Sequence, residues 1–251
     1  MDKWFIRGDI HGDIMELKYF AENHPHDNLI VVGDVGLNYW GNRTDRKKKE
    51  QVAQLDMQLF CVRGNHEMRP EDIEGMDTIY SGKVDGYCYW EEEYPNIFYL
   101  MDGEVYNIDG KSCLILGGAY SVDKWYRLAM RYEWFDNEQL SEEEMNEIME
   151  KYKGRHFDCV LSHTCPLSWQ PVDLFLRGLD QSTVDNTMEV WMEKFSKSIT
   201  FDAWCWGHYH HDRDGFDETY HKTMLYNATI PFESLFFNLK LFGEKGLYEN
   251  G

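Results

Sequence analysis

The order of segments in this chain predicts an α+β fold. Two packed mixed β-sheets flanked by helices would form a four-layer α/β/β/α sandwich, in one domain over residues 1–251. Three observations carry that expectation. The first third alternates strand, helix, strand, helix, strand, the pattern of right-handed parallel crossovers. The middle holds short apolar runs punctuated by Asp-Gly pairs, which signal hairpins. The last third returns to buried strands between helical stretches.

In order, "KWFIR" (Lys3 to Arg7) reads as a short strand. "IMELKYFAEN" has helical spacing at Ile14, Leu17, Phe20 and Ala21, with Asp13 as its N-cap. "NLIVV" (Asn28 to Val32) is a buried strand, and a polar helix around Lys47 to Leu55 leads into "LFCV" (Leu59 to Val62). "NIFYLMDGEVYNIDGKSCLILGGAY" predicts three strands joined by hairpins at Asp102-Gly103 and Asp109-Gly110. Ser141 to Glu144 form a capping box that opens an acidic helix. "FDCVLSH" (Phe157 to His163) is another buried strand, and Ser182 to Lys197 look helical. "FDAWCW", "TMLYNATI" and "SLFFNLKLF" close the chain as strands.

A hydrophobic content of 43% supports a sizeable core and excludes a disordered chain. No apolar run approaches the roughly 20 residues of a membrane span. The N-terminus is polar and already patterned, so the expectation is a soluble cytoplasmic protein. None of the six cysteines forms a C-x-x-C pair, which predicts buried free thiols. A net charge of −20 argues against general nucleic-acid binding and against an anionic membrane surface as partner. It would repel a phosphorylated substrate too, unless something local reversed the field. The basic run "RTDRKKKE" reads as a solvated helix face.

The polar residues that follow the strands form a set. "GDIHG" places Asp9 and His11 after the first strand, and "GDVG" places Asp34 after the second. "RGNHE" places Asn65, His66 and Glu67 after the third, "SHTCP" places His163 after another, and "GHYHH" places His208 and His210 after a fifth. Carboxyl ends of parallel strands open on the crevice where ligands bind. Alone, each fragment is an ordinary turn or a hydrogen-bonded histidine. Together they supply carboxylate, amide and imidazole donors beside glycine, without thiolate, which suits manganese, iron or zinc over calcium or soft copper.

This spaced set, from Gly8 to His210, resembles the calcineurin-like metallophosphoesterase superfamily, with "ILGGAYSVDKWYR" and "FDCVLSHTCP" similar to segments of its bacterial and phage members. The resemblance implies a centre of two divalent transition metal ions. One ion would take Asp9, His11 and His210, the other Asn65, His163 and His208, and Asp34 would bridge them. Two divalent cations against two carboxylates leave a positive centre that can draw phosphate into an acidic protein. It also implies direct attack on a phosphate ester by a hydroxide bridging the metals, with His66 protonating the leaving group. His211 has no slot in the pattern and reads as peripheral.

Phosphoprotein phosphatases of the superfamily continue their second motif as G-D-x-x-D-R-G. Here "GDVGLNYW" puts Leu37 and Asn38 in place of that aspartate and arginine. Glu67, or a residue that the pattern does not place, is then the candidate to orient His66, and Asn38, Arg7, Arg63 and Arg127 are candidate phosphate contacts. Tyr87 to Pro95 and Ala119 to Phe135 are aromatic-rich and read as packing or as a wall that stacks a base or an aromatic leaving group. The stretch from Trp169 to Gln181 is a candidate cap over the cleft. The expected substrate is a phosphomonoester, phosphoprotein included, with a phosphodiester or nucleotide as the alternative. A non-catalytic interaction domain would lack ligands or the acid, whereas this chain keeps both; a metal store would bind ions without turnover.

Overall fold

The computed structural model describes residues 2–175, 182–216 and 220–237. Its strands are, in chain order, β1 (Trp4–Arg7), β2 (Asn28–Val32), β3 (Gln58–Val62), β4 (Asp77–Ser81), β5 (Gly86–Trp90), β6 (Ile97–Leu100), β7 (Val105–Ile108), β8 (Lys111–Leu116), β9 (His156–Ser162), β10 (Thr200–Trp206), β11 (Arg213–Phe216), β12 (His221–Met224) and β13 (Thr229–Pro231). The helices are α1 (Ile14–Asn23), α2 (Arg43–Val52), α3 (Lys124–Met130), α4 (Glu142–Tyr152) and α5 (Thr187–Ser196). One sheet runs β13-β1-β2-β3-β6-β5-β4 and the other β11-β12-β10-β9-β8-β7.

Side-chain alternation along the strands decides the layering, because successive residues point to opposite faces of a sheet. Ile6, Ile30, Val32, Phe60 and Val62 face Cys113, Ile115, Cys159, Leu161 and Cys205 of the other sheet. Their neighbours Phe5, Leu29, Val31 and Leu59 pack outward on Leu17 and Phe20 of α1 and Val52 of α2. On the far side Leu114, Leu116, Val160 and Trp204 pack on Met145 and Ile148 of α4 and Trp191 and Phe195 of α5. The result is helix, sheet, sheet, helix, as the segment order predicts. Strands buried on both faces read as continuous apolar runs such as "NLIVV".

Local chemistry explains the helix starts. The Asp13 side chain accepts from the Met15 N–H, and Ser141 and Glu144 exchange both bonds of a capping box. α2 begins at Arg43, earlier than its periodicity suggests, because Asn42 caps Thr44 N–H. The basic run is not simply solvated. Lys49 is buried, donating to Glu91 Oε2 at 2.6 Å and Asn38 Oδ1 at 3.0 Å.

Two expected connections are different in the structure. Asp109-Gly110 does close a two-residue hairpin, with Ile108 opposite Lys111. Asp102-Gly103 closes none: β6 lies in one sheet and β7 in the other. The Asp102 carboxylate instead accepts from the Gly117 N–H at 2.7 Å and from Arg63 Nε at 2.8 Å, pinning a crossing between sheets. Likewise "TMLYNATI" is two strands, β12 and β13, in different sheets. The Asp212 carboxylate accepts the N–H groups of Tyr226, Asn227 and Ala228 in the turn between them. Ser234 to Phe236 lie in a 3-10 turn, Phe232–Phe236, rather than a strand, and the rest of "SLFFNLKLF" beyond Phe237 lies outside the described residues. All six cysteines are free and buried. No helix among the described residues is long and apolar enough to cross a membrane.

Candidate metal centre

Register brings the strand ends level. β1, β2 and β3 are parallel, and so are β8, β9 and β10, with Leu116, Ser162 and Trp206 side by side. The loops that follow meet across the two sheets. The His163 ring Nδ1 bonds the Val32 carbonyl at 2.9 Å, and the His208 N–H donates to Asp9 Oδ1 at 3.0 Å. His11, Asp34, His208 and His210 all have left-handed backbone, with φ of 50°, 48°, 67° and 51°. Non-glycine residues pay for that conformation, and such strain gathers at functional sites. The glycines beside the donors have a steric reason. A Cβ on Gly64 would run into Asp34 Oδ1, and one on Gly207 into Asp9 Oδ1.

The seven expected donors form one continuous cluster. Asp9 Oδ2 lies 3.4 Å from His210 Nε2 and 3.8 Å from His11 Nε2, and those two ring nitrogens are 2.9 Å apart. Asp34 Oδ2 lies 3.9 Å from His11 Nδ1 and 3.6 Å from His163 Nε2. Asn65 Oδ1 is 2.8 Å from His163 Nε2 and 3.1 Å from His208 Nδ1. Its amide is oriented from behind, since Asn65 Nδ2 donates to Ser121 Oγ at 2.8 Å. Ser121 Oγ in turn accepts from Arg127 Nη1 at 3.0 Å and donates to Glu138 Oε2 at 2.6 Å. Three overlapping groups have ligand atoms within 4.8 Å of one another: Asp9, His11, His210; His11, Asp34, His66; and Asp9, Asp34, His163. His211 joins none of them.

Burial opposes ionisation of Asp34, yet the charge and hydrogen bond of His163 hold its carboxyl well below the usual range. Burial also works against the His163 cation, but Asp34 and then Asp9 bring it up to about 9. Burial, then the charge of His163, keep His208 well below an ordinary histidine. The facing Asp9 carboxylate raises His210. The set fits a divalent transition cation. Asp9 Oδ2 is buried without a hydrogen-bond partner, two imidazole nitrogens converge beside it, and the donors are oxygen and imidazole throughout. A cation there would displace the His163 proton, because ligand imidazoles bind unprotonated.

His66 sits at the edge of the cluster, its backbone N–H donating to Asp34 Oδ1 at 2.8 Å. Burial, and then the charge of Arg127 against that of Asp34, leave its pKa lowered. Glu67 does not reach its ring. Burial and Asp34 push that carboxyl up to about 8, and its two oxygens accept from Gly36 and Gly64 N–H. The carboxylate facing His66 belongs to Asp123, with Oδ1 3.9 Å from Nε2. Sequence reasoning missed it because β8 reads as a hairpin strand. β8 is also parallel to β9, so the loop after it opens on the same crevice.

Three of the four candidate phosphate contacts are engaged away from the cluster. Arg63 is used by Asp102 and by the Glu138 and Gly117 carbonyls. Arg7 pairs with Glu16 at 2.9 Å, and Asn38 accepts from Lys49. None of these bonds reaches the cluster. Arg127 adjoins the cluster: Nη1 donates to Ser121 Oγ and lies 4.0 Å from Asp123 Oδ1. Its Nε and Nη2 are buried without a hydrogen-bond partner among the described residues, and the guanidinium lies 5.2 Å from the centre of the Tyr39 ring. Of the expected cap, Trp169 packs on Trp204 and Trp206, while residues 176–181 lie outside the described residues. The aromatic-rich stretches are the β4–β5 hairpin region and α3, where Trp125 and Tyr126 are exposed.

No curated protein matches the chain. Among solved structures it is similar to the phosphopantetheinyl hydrolase of Mycobacterium tuberculosis, with 15% identity over 90% of this chain and 89% of that one and a TM-score of 0.45. Residues 5–212 match the family described as calcineurin-like phosphoesterase, a span from β1 to the loop after β10 that contains every donor of the cluster. The chain therefore belongs to the calcineurin-like phosphoesterases, hydrolases that depend on metal.

Proposed function

We propose that this phosphoesterase hydrolyses phosphomonoesters, phosphoproteins included, with two divalent transition cations (manganese, iron or zinc) in the cluster. Asp9, His11 and His210 would hold one ion and Asn65, His163 and His208 the other. The observation that carries this reading is the position of Asp34, whose Oδ2 faces His11 on one side and His163 on the other at 3.9 and 3.6 Å. A pair of ions there would supply Lewis acidity, lowering the pKa of water and offsetting charge on the phosphoryl oxygens.

The chain's own residues orient and move protons. The Asp9 and Asp34 carboxylates accept the His208 and His66 N–H groups, so each also fixes the loop of another donor. Ser121 and Glu138 keep the Asn65 carbonyl oxygen turned inward. His66 protonates the oxygen of the departing alcohol, a role typically worth ~10²–10⁴-fold in rate. Free buried thiols suit a reducing cytoplasm, and a surface of net charge −20 suits a small or protein-borne phosphate better than nucleic acid or membrane.

The test is turnover of p-nitrophenyl phosphate and its bis ester by chelated protein, then after addition of manganese, iron or zinc. Monoester hydrolysis restored by metal is expected. Faster turnover of the bis ester would transfer the assignment to phosphodiesters, and no turnover with any metal would overturn it.

A further inference from the structure

A cavity of about 240 Å³ adjoins the cluster, lined by His11, Gly36, Tyr39, Trp40, Lys48 and His66. Part of its wall is Tyr39 and Trp40, the two rings that follow Asn38, which stands where phosphoprotein phosphatases carry their arginine. Tyr39 and Trp40 meet edge to face at 4.6 Å, and the Tyr39 ring is inclined 25° to that of His66 at 6.3 Å. The wall is built in advance. Asp45, buried, accepts the Trp40 and Gly41 N–H groups at 2.6 and 2.8 Å, and the Arg127 guanidinium lies 5.2 Å from the Tyr39 ring centroid. Trp40 remains 39% exposed, a large apolar face at the rim of a polar site. Lys48 adds a cation to the lining, its ammonium donating to the Gly36 carbonyl at 3.1 Å.

We propose that this cavity is the leaving-group subsite and that it selects phosphate esters whose alcohol carries a planar aromatic ring. The inference rests on the reading of His66 as the proton donor, because that role makes its side of the centre the leaving-group side. In the hydrolysis, the oxygen of water joins phosphorus. The ester P–O bond breaks with its electron pair on the alcohol oxygen, and His66 supplies that oxygen's proton. A ring seated against Tyr39 and Trp40 holds the alcohol beside His66, since aromatic rings attract face or edge while saturated ones gain only area. Lys48 places positive charge near the ester in a protein whose overall charge repels it.

Benzyl phosphate and cyclohexylmethyl phosphate test this, as both release primary alcohols of similar size and differ in aromaticity. With the full chain loaded with manganese, kcat/KM should favour the benzyl ester by roughly tenfold, the scale of one ring stacked on an aromatic side chain. Trp40→Ala should bring the ratio towards one, mainly through KM. Tyr39→Phe, which keeps the ring, should preserve it. Equal rates on the two esters in the wild type, or a ratio unmoved by Trp40→Ala in a variant that melts like the wild type, would overturn the subsite. Failure to cleave either ester or p-nitrophenyl phosphate would instead strike the phosphomonoesterase reading beneath it.

Discussion

The Asp123 carboxylate lies 3.9 Å from Nε2 of His66, although 57 positions separate the two residues in a chain that lacks the aspartate of the G-D-x-x-D-R-G motif. Asp123 stands at the N-terminal edge of α3, and its Oδ1 is buried without a hydrogen-bond partner. Arg127 Nη1, one turn on, is 4.0 Å away. A carboxylate so placed adds to Asp34 in favouring the protonated ring.

Asp123→Asn should therefore lower kcat by roughly tenfold on esters with poor leaving groups, a part of the whole general-acid effect. A general acid works only while protonated, so the rate falls above its pKa. Without the anion that pKa drops, and the basic limb of the pH–rate profile should move to lower pH. An unchanged profile would remove Asp123 from this role.

Asp34→Ala should abolish metal loading and rate together, because Asp34 Oδ2 faces both halves of the cluster. His66→Ala should retain metal and lose about 10²–10⁴-fold in rate, least on esters with good leaving groups. Metal content by mass spectrometry of the desalted proteins, beside turnover, checks both. Equal metal and equal activity in the two variants would refute the division of roles.

Gly207→Ala should weaken metal binding by about 10–100-fold, the usual cost of disturbing a residue that supports a ligand. The added methyl would collide with Asp9 Oδ1 and approach the Val32 carbonyl. Calorimetric titration with manganese measures the loss. Wild-type affinity would mean that the Asp9 loop yields freely.

Glu144 links α4 to the loop after β3. Burial opposes its ionisation, but Arg69, bonded to both its oxygens, and the Ser141 N–H bring its pKa down to about 2. A depressed carboxyl pKa stabilises the fold above the unfolded value and loses that contribution as pH falls through the folded one. The stability gap between wild type and Glu144→Gln should be widest at pH 6–7 and close between about 4.5 and 2. The side chain is 36% exposed, so screening holds the gap to about 1 kcal/mol or less. Urea unfolding at pH 7 and pH 3 tests this, and a gap constant with pH would contradict it.

What the amino-acid order determined by itself is local. The Asp13 cap, the Ser141 capping box, the two-residue turn at Asp109-Gly110 and the apolar runs of β2, β3 and β9 rest on interactions within a few residues. The convergence of the seven residues was legible for a related reason: each follows a buried strand, five of them beside a glycine, and parallel strands deliver their ends to one crevice. Only the tertiary structure decided which sheet each strand joins. Asp102-Gly103 signals a turn equally well whether the next strand pairs back or crosses over, and the crossing is settled by Arg63 and Gly117, far along the chain. The same holds for Asp123 beside His66, Lys49 buried against Glu91, and the Tyr39 and Trp40 wall. Pairings between residues distant in sequence leave no mark in either partner's local pattern. They follow from sheet register and close packing of the whole core.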